Sequence, residues 1–141
     1  MAVAYNKYTA GVEPLVEGMN AGTDAWKIAL ALTVNAADTT FTPGTTDLAT
    51  ANGYTAGGNA ATTASSTQSG GVYKLVLNAP ATWTATTANP AFTFRYVILW
   101  NSTTNQPLGY WDYGGNVAMN GLNSDTFTFT PDGTNGVFQV T

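Results

Sequence analysis

Glu13 and Glu17 stand four residues apart, and Asp112 lies within Trp111-Asp112-Tyr113. Glycoside hydrolysis needs two carboxylates about 5–10 Å apart across a sugar, and glutamates at i, i+4 on a helix meet that distance. The chain has no histidine and no cysteine. The commonest general base, the thiol nucleophile and the usual zinc ligands are therefore missing. Glu13 and Glu17 read as the solvated face of a helix. Asp112, followed by Gly114-Gly115, reads as a turn cap. The segment Asp132-Gly133-Thr134-Asn135-Gly136 offers oxygen ligands of the kind calcium takes. It lacks the twelve-residue ligand spacing and reads as a tight loop. Lys27 and Lys74 carry the groups for a Lys–Asn crosslink, but read as solvated or ion-paired. Asn101-Ser102-Thr103 is a glycosylation acceptor only in a secretory pathway. No catalytic, cofactor-binding or metal-binding residue is expected, and the chain is not expected to be an enzyme.

The aromatic residues carry more information. Four Trp, seven Tyr and six Phe sit among small polar residues. Trp26, Trp83, Trp100, Trp111, Tyr110 and Tyr113 could form a stacking platform for sugars. Trp26 and Trp100 share a strand face with Ile, Leu and Phe, which places them in a core. Trp83, Tyr110 and Tyr113 are less constrained and are the candidates for exposed aromatics.

The elements that position these residues follow from periodicity. Tyr5, Tyr8, Val12, Leu15, Val16 and Met19 fall at helical spacings, so residues 5–19 predict the one helix. Pro14 kinks it or opens a shorter one, and Asn20-Ala21-Gly22 ends it. Period two then takes over in Trp26, Ile28, Leu30 and Leu32. Residues 35–71 are rich in Thr, Ala, Gly and Ser and predict a long ordered excursion, with a short helix near residues 47–51. Tyr54, between Asn52-Gly53 and Gly57-Gly58, is pinned there in a turn. Residues 72–77 predict a strand, and Trp83 lies in a short extended segment. Residues 92–100 give the strongest strand, apolar on both faces in its second half, so central in a sheet. Residues 108–113 are its hairpin partner. Residues 126–130 and 137–140 predict a closing hairpin around the 131–136 turn. The fold class is all-β with one N-terminal helix: a single domain, an antiparallel β-sandwich or jelly-roll-like. Residues 1–22 form an N-terminal helical arm on it.

Charge and length bound the partners. Charged residues make up 9% of 141, and the formal net charge is −4. Four lysines and arginines leave no footprint for nucleic acid or for an anionic membrane. No apolar run approaches the ~20 residues of a membrane span. The start of the chain lacks the pattern of a signal peptide, so synthesis in a cytoplasm without export by that route is expected. An uncharged Thr/Asn/Ser/Gly surface nevertheless suits an extracellular particle.

Several segments taken together resemble one family. They are Tyr5-Asn-Lys-Tyr8 with Val12-Glu-Pro-Leu-Val-Glu-Gly18, Asp24-Ala-Trp-Lys-Ile-Ala-Leu30, Asn52-Gly-Tyr-Thr-Ala-Gly-Gly-Asn59, Tyr73-Lys-Leu-Val-Leu77 and Trp83-Thr-Ala85. Phe94-Arg-Tyr-Val-Ile-Leu-Trp100, Gly109-Tyr-Trp-Asp-Tyr-Gly114 and Asp132-Gly-Thr-Asn-Gly-Val137 complete the set. The chain resembles, over nearly its whole length, the small virion structural proteins of tailed bacteriophages. The resemblance implies a decoration or cement protein on the capsid exterior, made in the host cytoplasm. It would bridge major capsid subunits against internal DNA pressure, as a homotrimer or other homo-oligomer. The alternative is a tail, neck or fibre-associated module that binds glycan through Trp83, Tyr110 or Tyr113. The expected interface residues are Tyr5, Tyr8, Val12, Leu15, Val16 and Met19 of the arm and Tyr54 of the excursion.

Overall fold

The computed structural model describes residues 3–141, apart from the side chain of Val16. Met1, Ala2 and that side chain lie outside the described residues. Strands β7 (Phe92–Asn101) and β8 (Gln106–Met119) form a long antiparallel hairpin. β2 (Trp26–Ala31) pairs with β7, and β3 (Asn59–Ala60) pairs with β2. β1 (Tyr5–Lys7) pairs with β8, giving the order β1-β8-β7-β2-β3. A second sheet has the order β10 (Phe138–Val140)-β5 (Val72–Leu77)-β4 (Thr63–Ser69). β6 (Trp83–Thr84) and β9 (Thr126–Phe127) make a two-stranded third. Every pairing among the described residues is antiparallel, the arrangement that short turns allow.

The strand pattern explains the core. Phe94, Val97 and Leu99 of β7 meet Trp26, Ile28 and Leu30 of β2, Leu75 and Leu77 of β5, and Trp83 of β6 in one buried cluster. All three sheets contribute to it. On the other face of β2 and β7, Ala29, Ala31, Ile98 and Trp100 form a second cluster with Phe41 and Tyr8. Phe41 stacks on Trp100 with ring centroids 4.1 Å apart and planes 10° from parallel. The excursion therefore covers the outer face of β7, which is why that strand is apolar on both sides. Trp26 and Trp100 are both core residues, but the irregularity between Phe94 and Tyr96 puts Trp100 with Ile98 on the face opposite Phe94 and Trp26.

A wide bulge interrupts β7 and β8. Phe94 lies opposite Val117, but Tyr96 lies opposite Asp112, so Arg95 alone faces residues 113–116. Gly114 takes φ 78° there, a conformation that favours glycine. The Asp112 carboxylate accepts the Gly114 N–H at 2.8 Å, which is the turn cap expected from the sequence.

Three expectations need correction. The 5–19 segment is not one helix. It is β1, a 3-10 turn at Thr9–Gly11, and a helix α1 of only Val12–Glu17. Starting at Val12 places Pro14 in the first turn, where its missing N–H costs nothing. Gly18 N–H closes the helix on Pro14 C=O at 3.0 Å. Residues upstream pair with the edge of β8 instead.

The 35–71 excursion is the second correction. Residues 63–69 are strand β4, and no helix forms near residues 47–51. Asp47 accepts three hydrogen bonds there, from Gly44 N–H, Gly57 N–H and the Tyr54 hydroxyl. A carboxylate committed to loop donors competes against helix.

The third is the closing hairpin. β9 pairs with β6 and β10 pairs with β5, so residues 126–130 and 137–140 are not partners. Phe127 packs on Phe94 at 4.6 Å and Phe129 on Trp111 at 4.6 Å. The alternation in 126–130 registers burial and the β6 pairing of its first two residues, not a partner in 137–140. Asp132 caps the following turn by accepting N–H bonds from Thr134 and Asn135, and the chain leaves for the second sheet.

Candidate interaction surface

The structure divides the expected interface residues into two groups. Tyr8 is fully buried and Tyr54 is 1% exposed, so neither presents an interface. Both are core residues, contrary to the sequence reading. Trp83 is 2% exposed and is no surface platform either; it packs on Phe127 at 5.8 Å. Val12 is 42% exposed. Tyr5, Leu15 and Met19 are half-buried. Tyr110 is half-buried between Tyr8 and Tyr96, edge-on to both. Tyr113 is half-buried against Phe94 and Phe127.

Tyr5, Val12, Leu15 and Met19 come together with residues no sequence pattern indicated. Tyr5, Gly11, Val12 and Leu15 border a cavity of about 280 Å³ whose far wall is Phe138 and Gln139 of β10. Leu15, Met19, Tyr73, Phe138 and Val140 border an adjoining cleft of about 490 Å³. α1 thus sits where the edge strand β1 of one sheet approaches the edge strand β10 of the other. Val140, 51% exposed, extends the apolar strip that Val12 begins. β10 was legible as a strand, but its place beside the arm depends on its pairing with β5.

A third cavity, about 400 Å³, shares Tyr5 with the first. Tyr5, Trp111, Tyr113 and Phe129 wall it, with Val3, Thr130, Asp132, Gly136 and Val137 around them. Tyr5 and Trp111 are 5.1 Å apart with planes at 61°, and Trp111 and Phe129 are 4.6 Å apart at 53°. Burial holds the Tyr5 and Tyr113 hydroxyls above the ordinary phenol range, so both stay protonated donors. Hydrogen bonds from Asn135, then Thr134, hold the Asp132 carboxyl below the ordinary aspartate range, so it is ionised at neutral pH.

Several other charged residues have settings of their own. Glu13 and Glu17 are exposed at the rim of a cleft with Thr39, Thr104 and Gln106. Among the described residues no group of three carboxylates is placed to hold a metal ion. Arg95 forms a bidentate pair with Asp112, Nε to Oδ1 and Nη2 to Oδ2, both at 2.8 Å. That pair holds the Asp112 carboxyl below its ordinary range. Lys27 lies over the Trp100 ring at 5.8 Å, and Lys74 donates to Thr134 C=O at 3.2 Å. Asn101 is fully buried, donates to Asp24 and accepts from Thr103 and Thr104. The Asn101-Ser102-Thr103 pattern is thus folded into the β7–β8 turn. No described helix is long and apolar enough to cross a membrane. The chain matches no protein-family model, no curated protein and no solved structure.

Proposed function

We propose that this chain is a virion structural protein of a tailed phage: a decoration protein on the capsid exterior that bridges neighbouring major capsid subunits. The observation that carries this reading is the apolar strip of Val12, Leu15, Met19, Phe138 and Val140 across two sheet edges. Protein interfaces place apolar and aromatic residues at their centre and charge at the rim; these five are apolar, and Lys7 borders the same cavity. The family resemblance supports the same reading. The contact surface is the α1–β10 strip, with Tyr8 behind it in the core. Assembly as a homotrimer or other homo-oligomer on the shell is part of the proposal.

The alternative, a tail or fibre module that binds glycan, now rests on Tyr110 and Tyr113, because Trp83 is sealed in the core. Cryo-electron microscopy of the particle that carries this chain separates the two. Density repeated over the icosahedral shell supports decoration. Density confined to the tail or to one vertex overturns it.

A further inference from the structure

The cavity walled by Tyr5, Trp111, Tyr113 and Phe129 plays no part in the contact strip proposed above. Its volume, about 400 Å³, lies within the range of small-ligand pockets. The ring pairs Tyr5–Trp111 and Trp111–Phe129 are inclined at 61° and 53°. Rings inclined at these distances are in edge-to-face contact, and the packed set walls one side of the cavity. Asp132 stands at the rim and no lysine or arginine lines the cavity; Lys74, whose charge also acts on Asp132, is tied to Thr134 C=O at 3.2 Å.

Asp132 has capacity to spare. Its Oδ1 accepts the Thr134 and Asn135 N–H groups at 2.8 and 2.9 Å, and its Oδ2 accepts Asn135 Nδ2 at 3.0 Å. A carboxylate oxygen accepts about two bonds, so Oδ2 keeps one acceptor position open. A negative group beside several aromatic rings repels anions. It attracts a cation, which gains from the ring quadrupoles most when it is shielded from water.

We infer that this cavity is an aromatic cage for an alkylammonium group. The shared chemistry is a compact organic cation, supplied either by a lysine side chain of a polypeptide or by a choline-type quaternary head group. Trp111, Tyr5, Phe129 and Tyr113 supply the rings and Asp132 the counter-charge. A neutral group of the same shape gains only the apolar contacts.

The test is a titration of the full chain, followed by nitrogen-15 NMR of the backbone and the Trp indole groups. The ligands are n-butylammonium, choline and 3,3-dimethyl-1-butanol, which is the neutral isostere of choline. The expected result is saturable shifts at Trp111 and Tyr113 with one or both cations, and binding about five- to tenfold weaker for the alcohol. Stronger response to butylammonium indicates a lysine source, and stronger response to choline a quaternary head group. Asp132→Asn keeps an oxygen for the loop N–H groups and removes the charge. It should weaken the cation several-fold and leave the alcohol unchanged, a difference that a purely structural role does not produce. Tyr113→Ala should weaken both. Equal binding of alcohol and cation, equal loss of both in Asp132→Asn, or no shift at Trp111 with either cation overturns the cage.

Discussion

Tyr54 donates its hydroxyl to Asp47 Oδ2 at 2.5 Å while the same hydroxyl oxygen accepts the Leu30 N–H at 3.0 Å. One phenol thereby ties the excursion to the end of β2 inside the core. Tyr8 is the opposite case, because its hydroxyl is buried with no hydrogen-bond partner.

The same substitution at the two sites should therefore have opposite effects. Tyr54→Phe leaves the Leu30 N–H unpaired and takes a donor from a buried carboxylate, which costs about 2–3 kcal/mol. For a domain of this size that lowers Tm by roughly 5–10 °C. Tyr8→Phe removes an unsatisfied polar atom and should leave Tm unchanged or raise it by a few degrees at most, corresponding to about 1 kcal/mol. Thermal unfolding by circular dichroism measures both. A Tyr54→Phe protein as stable as the parent would show that the bond does not hold the excursion.

Asp112 and Asp132 should titrate below the ordinary aspartate value of about 3.9. The cause at Asp112 is chiefly the Arg95 pair, and at Asp132 chiefly the Asn135 hydrogen bonds. A carboxylate whose pKa is lowered by folding stabilises the fold above its unfolded value. That contribution drains as pH falls through the folded value. Both groups therefore weaken the protein only below about pH 4. The Arg95–Asp112 pair is partly exposed and screened by salt. Carboxyl NMR titration of Arg95→Met should move the Asp112 midpoint upward and leave that of Asp132 in place. An unmoved Asp112 midpoint would assign its shift to the Gly114 N–H instead.

Val12→Glu and Val140→Glu place a charge on the contact strip at exposed positions. Surface changes of this kind usually alter stability by no more than about 0.5 kcal/mol, so unfolding should be unchanged. Binding to capsids lacking the protein should fall by about tenfold or more, since a buried unpaired charge at an interface is costly. Co-sedimentation with such capsids reads the effect. Binding at parental strength in both variants would remove the strip from the interface. Deleting residues 1–19 is a poorer test, because it also removes Tyr8 from the core and β1 from the sheet.

The elements whose burial is written in local alternation could be read from the chain alone. β2, β5, β7 and the start of β8 were legible, as were the core positions of Trp26 and Trp100. Pro14 signalled the shorter helix that α1 became. The Asn52-Gly53…Gly57-Gly58 frame marked Tyr54 as pinned, because at Gly58, with φ 70°, a Cβ would collide with Ile28 C=O. What sequence alone left open was partnership. Thr63–Ser69 carries no apolar alternation, and it is a strand only because β5 offers its edge. Residues 126–130 and 137–140 alternate as hairpin partners would, yet each pairs elsewhere. Tyr8 fell in a helical stripe that does not form, Trp83 lacked a clear periodic context, and distant residues decided the burial of both. Alternation reports that a face is covered, whereas strand pairing and cavity walls depend on contacts between residues far apart in the chain. That is why the core was legible one strand at a time, while the arm–β10 strip and the aromatic cage exist only in the tertiary structure.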